Sequence, residues 1–81
     1  MTLDEAIAEL KKRITDVCPS AVIRVQRASA EEASIRAYAA AEFEQPIKDA
    51  TRDRTNELLL SDGLDVQVFA YDIATSLPPE E

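Results

Sequence analysis

The stretch SIRAYAAAEF, residues 34–43, decides how many strands this chain has. Two physical arguments compete over it. Alanine is the strongest helix former, and Ser29-Ala30-Glu31-Glu32 just upstream has the form of a helix-capping box. Alternation argues the other way. In an extended chain Ile35, Ala37 and Ala39 share one side, while Arg36, Tyr38 and Ala40 share the other. Wound as a helix, the segment would present Ile35, Tyr38, Ala39 and Glu42 together, which is a weak apolar stripe. With a helix here only two strands would remain, and a two-stranded sheet is marginal in water. We therefore read residues 34–41 as extended.

Upstream, Thr2-Leu3-Asp4-Glu5 is a T-x-x-E capping box, and a helix is expected to start there. Leu3, Ile7, Leu10, Ile14 and Val17 recur at steps of four and three, with Ala6 beside them, and form one apolar stripe. The stripe is too short for a coiled-coil seam, so packing on a sheet is the better reading. Pro19 ends the helix by pushing its predecessor out of the α region. AVIRVQR, residues 21–27, is β-branched and alternating, with Ile23 and Val25 on one face and Val22, Arg24 and Gln26 on the other. Residues 28–33, ASAEEA, contain no Gly, Pro or Asn and are expected to form a longer hairpin loop.

Downstream, Pro46 suits the first turn of a second helix, where its missing N–H costs nothing. That helix should run to about Ser61 and close at Gly63 in a left-handed turn, with apolar Leu64 following. Its buried side is expected to hold Ile47, Ala50, Thr51 and Leu58, with Phe43 packing from before the helix. Arg54 falls near that side and must either reach the edge or pair with an acid. Residues 63–72, GLDVQVFAYD, alternate as a last strand, with Val66, Val68 and Ala70 opposite Gln67, Phe69 and Tyr71. Asp62 and Asp65, flanking Gly63, read as polar ends of the helix-to-strand loop. The final ATSLPPEE, residues 74–81, reads as a short disordered acidic tail.

The expected order is α-β-β-α-β: an α+β two-layer sandwich over residues 1–73, a three-stranded sheet with both helices on one face. This order resembles the topology of the cytoplasmic C-terminal domains of cation-efflux transporters and of BON domains. The former would imply His and acidic metal ligands, and this chain has no His; the latter carry recurring glycines, and this chain has one. Neither function carries over on topology alone.

Composition narrows the chemistry. At 81 residues the chain has room for one small core. Its only cysteine, Cys18, closes an apolar stripe and reads as a buried hydrophobe, which leaves no internal disulfide and no thiolate metal site. Without histidine the commonest general base and metal ligand is missing, and one glycine gives no phosphate-cradling loop. Asp49, Asp53 and Glu57 share a helix face, but Lys48, Arg52 and Arg54 are interleaved, so a salt-bridged solvated face is expected rather than a cation site. No catalytic group, metal or cofactor is therefore expected. The net charge of −7 disfavours nucleic acid and anionic lipid. MTLDEAIAEL has acids where a signal peptide would need a basic and then an apolar region, so a cytoplasmic protein is expected, with no membrane partner.

What remains is a surface. With Val66, Val68 and Ala70 under the helices, the far face would display Arg24, Arg36, Tyr38, Gln67, Phe69 and Tyr71 as interaction residues. Two alternatives stand beside this: the faces are swapped, with Phe69 and Tyr71 in the core, or the tail folds back through Ile73 and Leu77 to shield the aromatics. The functional expectation is a small, acidic, non-catalytic protein-interaction module that self-associates as a homodimer or binds a protein partner. A small-ligand or metal-responsive regulatory domain is the alternative.

Overall fold

Residues 34–43 are extended where it matters. In a computed structural model, which describes residues 1–78, β2 runs Glu32–Ala39, a 3-10 turn follows at Ala41–Phe43, and α2 occupies Glu44–Asp62. The strand starts and ends two residues earlier than the alternation alone predicted. The upstream Ser29 does not cap a helix. Its Oγ accepts the Glu31 N–H at 3.2 Å, while the N–H groups of Ala28 and Ser29 donate to the Glu32 carbonyl at 2.9 and 3.2 Å. That local side-chain bond makes a tight loop of what the sequence presented as a longer one, and a hydroxyl used this way is unavailable as a cap. Burial then overrides alanine's helix propensity, because Ala33, Ile35, Ala37 and Ala39 are all buried on one side.

The N-terminal helix α1, Leu3–Val17, opens with the predicted capping box: Glu5 N–H donates to Thr2 Oγ1 at 3.2 Å and Thr2 N–H to Glu5 Oε1 at 2.9 Å. It buries Leu3, Ala6, Ile7, Leu10 and Ile14, with Val17 half-buried. Cys18, just past the helix, is buried, its Sγ 3.5 Å from Ser20 Oγ.

The sheet is mixed, in the order β1-β2-β3. β1 (Val22–Arg27) runs antiparallel to β2, and β3 (Asp65–Asp72) runs parallel to it. The parallel pair requires a crossover, and α2 is that crossover. Both helices lie on one face, joining Leu10, Ile14, Ile47 and Leu58 to Ile35, Ala37 and Val66 in a single core, with Ile23, Val25, Val68 and Ala70 packed at its margin. The chain is thus a small α+β fold of two helices and three strands.

α2 packs with a narrower stripe than α1. Ile47, Thr51 and Leu58 are buried and Ala50 is half-buried, while Leu59 and Leu60 face outward. Thr51 pays no desolvation penalty, because its hydroxyl donates to the Ile47 carbonyl at 3.0 Å. Phe43 is half-buried against the core, as expected. The helix closes at Gly63 with φ of 66°, and the Leu64 N–H wraps back to the Leu58 carbonyl at 3.2 Å. Arg54 takes the second of its two expected courses. Its Nε and Nη2 grip the two carboxylate oxygens of Glu9 on α1, the latter at 3.2 Å, and Nη1 lies 3.4 Å from Glu57.

The acidic tail was expected over residues 74–81. The Asp72 carbonyl accepts from Thr75 and Ser76 at 3.1 and 2.8 Å and so shapes the turn after β3; residues 79–81 lie outside the described part. Among the described residues, no helix is long and apolar enough to cross a membrane.

Candidate functional site: the open sheet face

The strand register places the face opposite the helices residue by residue. Partnered positions across neighbouring strands project to the same side, so successive pairs alternate between the two faces. Ile23 with Ala37, Val25 with Ile35 and Ile35 with Val68 belong to the helix side. The intervening pairs therefore make the open side, in four rows. Glu32 and Asp65 form the first row, Gln26, Ser34 and Gln67 the second, Arg24, Arg36 and Phe69 the third, and Val22, Tyr38 and Tyr71 the fourth. All six sequence-derived candidates, Arg24, Arg36, Tyr38, Gln67, Phe69 and Tyr71, stand on this face.

They are not equally accessible. Phe69 and Tyr71 are 39% and 36% exposed, whereas Tyr38 is only 5% exposed. The reason is local. The Tyr38 and Tyr71 rings stack with centroids 5.2 Å apart and 19° between planes, so Tyr71 closes one face of Tyr38. Tyr38 acts as a support for the exposed ring. Leu77 is 84% exposed and shields nothing, while Ile73 is half-buried and its N–H extends the ladder to the Ala39 carbonyl at 2.9 Å. The swapped-face alternative fails on the same burial, because Val66 and not Phe69 is in the core.

The charges on the face are ordered by sign. In the first row two carboxylates, Glu32 and Asp65, are direct cross-strand partners; in the third, two guanidinium groups, Arg24 and Arg36, are direct partners. Like charges directly opposite destabilise a sheet. Arg24 is steadied by an Nη1 bond to the Ile23 carbonyl at 3.1 Å. Among the described residues, the side chains of Arg36, Glu32 and Asp65 make no hydrogen bond or ion pair. The sequence pattern does not bring out the two acids, because residue 32 falls in the expected loop and Asp65 at the expected end of a turn. Extending the alternation of β2 back by one pair of residues would have found Glu32.

Elsewhere the surface offers less. A hollow of about 250 Å³ between α2 and β3 is lined by Gln45, Lys48, Thr51, Arg52, Thr55 and Val68. Its polar groups are already engaged: Lys48 with Glu44 at 3.1 Å, Arg52 with Asp49 at 3.7 Å, and the Thr55 hydroxyl with the Arg52 carbonyl at 2.8 Å. Among the described residues no group of three His, Cys, Asp or Glu side chains is placed to hold a metal ion. Compared with protein-family models, with curated proteins and with solved structures, the chain matches none.

Proposed function

We propose that this protein is a small, non-catalytic interaction module that binds protein, either its own copy or a partner, through the open face of its sheet. One observation carries the reading. Both helices spend their apolar stripes on the same side, and the other side keeps Phe69 and Tyr71 more than a third exposed beside Arg36. Aromatic and arginine side chains are enriched at interfaces because they combine apolar area with directional polar groups. A cytoplasmic site of action accords with a small domain that has no disulfide and one buried thiol. The regulatory alternative has less behind it: the hollow between α2 and β3 has its polar groups engaged, and among the described residues no three His, Cys, Asp or Glu side chains are placed to hold a metal ion.

Phe69→Asp tests the reading. The charge enters a patch that a partner would desolvate, so association should be lost while the far-ultraviolet circular dichroism and thermal transition stay as in the wild type. Sedimentation at several concentrations, with and without candidate partners captured on the wild-type chain, reads the loss. An unfolded variant would return Phe69 to the core. A folded variant with unaltered association would remove the face from consideration.

A further inference from the structure

We propose that the occupant of the open face is a second copy of this chain, stacked face to face with its strands antiparallel, so that Glu32 of each copy meets Arg36 of the other. The inference rests on the face being an interaction surface, and it adds the partner and its orientation. Glu32 and Arg36 lie on the same strand, four residues and so about 13 Å apart, too far to pair within one copy. Each instead faces a like charge: Glu32 has Asp65 across the strand, and Arg36 has Arg24. Most other basic side chains find an acid nearby, as in Lys12–Asp16, Arg27–Asp4 and Lys48–Glu44. Among the described residues, Glu32 and Arg36 therefore carry unmet charge of opposite sign in fixed order along one strand.

With the strands of the two sheets aligned, as in sandwiches, a two-fold axis between two such faces leaves two arrangements. If the strands run parallel, each row lies over its own copy, so carboxylates oppose carboxylates and guanidinium groups oppose guanidinium groups. If they run antiparallel with Ser34 at the axis, the first row lies over the third, and Glu32 opposes Arg36 twice. Sheets pack about 10 Å apart, a gap that extended Arg and Glu side chains span together. Among the described residues, two acids and two arginines give the face no net charge, so copies of this acidic chain approach there with little repulsion. The face is small. Three strands at about 4.8 Å spacing and eight residues at about 3.3 Å rise make a patch near 14 by 26 Å, below the roughly 800 Å² per partner of a standard interface. The dimer is accordingly weak, dependent on charge and sensitive to salt.

Charge exchange tests this. Sedimentation equilibrium at low salt compares the wild type with Arg36→Glu, with Glu32→Arg and with the double exchange. Each single reversal sets like charges against each other and should raise the dissociation constant at least about tenfold; the double exchange should recover the wild-type value within about threefold, and 0.5 M salt should dissociate the wild type. Each reversal also gives its cross-strand neighbour an opposite charge, so loss of association would not come from unfolding, and circular dichroism checks this. A dimer that Phe69→Asp abolishes but the double exchange fails to restore overturns the orientation and spares the interaction face. A dimer indifferent to Phe69→Asp and to all the exchanges overturns both. A wild type that stays monomeric at high concentration and low salt overturns the second copy as occupant, leaving binding of a different protein.

Discussion

On the helix side of β2, Ala33, Ile35, Ala37 and Ala39 are all buried; on the other side of the same strand Glu32 is exposed, Ser34 and Arg36 are half-buried, and only Tyr38 is closed off. Adjacent residues thus answer to different requirements. The helix side is filled by apolar side chains whose burial stabilises each by about 1.5–3 kcal/mol when large, and its small alanines let the layers come close. The open side closes off only Tyr38 and carries like-charge pairs that a face selected only for stability would avoid.

The largest expected effect comes from two neighbours. Ile35→Ala removes a fully buried side chain at the centre of the core and should cost about 2–5 kcal/mol. Arg36→Ala, one residue along, leaves no cavity and relieves its repulsion with Arg24, so it should change stability by less than about 0.5 kcal/mol. Urea unfolding at low protein concentration, where association does not contribute, measures both. Comparable losses for the two would erase the distinction between the faces. Leu10→Ala, buried from the α1 side, belongs with Ile35 and should lose a similar amount.

Those buried positions were legible in the sequence because periodicity reports burial. The stripe of α1, the face of β3 and the stop at Gly63 all follow from spacing or from a backbone conformation that one residue type tolerates. Strand limits were less legible. Ser29 has the same spacing to Glu32 whether it caps a helix or closes a loop, and only its bond to Glu31 separates the two. The open face was found as a face, but its detail was not. Whether Tyr38 lies under Tyr71 depends on rotamers, and whether Glu32 meets Asp65 depends on the register of a parallel pair; neither is local in sequence.

A smaller effect probes the one buried residue on the open side. Stacking should couple Tyr38 to Tyr71 by about 0.5–1.5 kcal/mol beyond their individual contributions. A double-mutant cycle with Tyr38→Leu and Tyr71→Leu, read by chemical denaturation, isolates the coupling. Additive losses would mean that Tyr38 is held by its surroundings and that Tyr71 is free to turn toward a partner. Coupling of the expected size would mean that Tyr71 arrives at an interface already ordered, which lowers the entropy lost on binding.

The smallest effect separates the charges of the two sides. On the helix side Arg54 grips Glu9, and that hydrogen bond, with the attraction of the Arg54 and Arg13 charges, holds the Glu9 carboxyl below its ordinary 4.5. A carboxyl lowered in the folded state contributes stability that is complete above its unfolded value and is lost as pH falls through the folded one. Stability should therefore decline on acidification below about pH 4.5, and Glu9→Gln should flatten part of that decline while leaving stability near neutrality only slightly reduced. Glu5, lowered by its bond to the Thr2 backbone, works in the same direction and should preserve the remaining slope. Thermal unfolding of the monomer from pH 3 to pH 7 compares Glu9→Gln with the wild type. Because the Glu9–Arg54 pair is partly buried and joins two helices, 0.5 M salt should weaken its contribution less than it weakens any association carried by Glu32 and Arg36 on the exposed face. An acid slope unchanged in Glu9→Gln would mean that the ion pair between the helices contributes nothing to folding, and that it is as idle in one copy as the charges of Glu32 and Arg36.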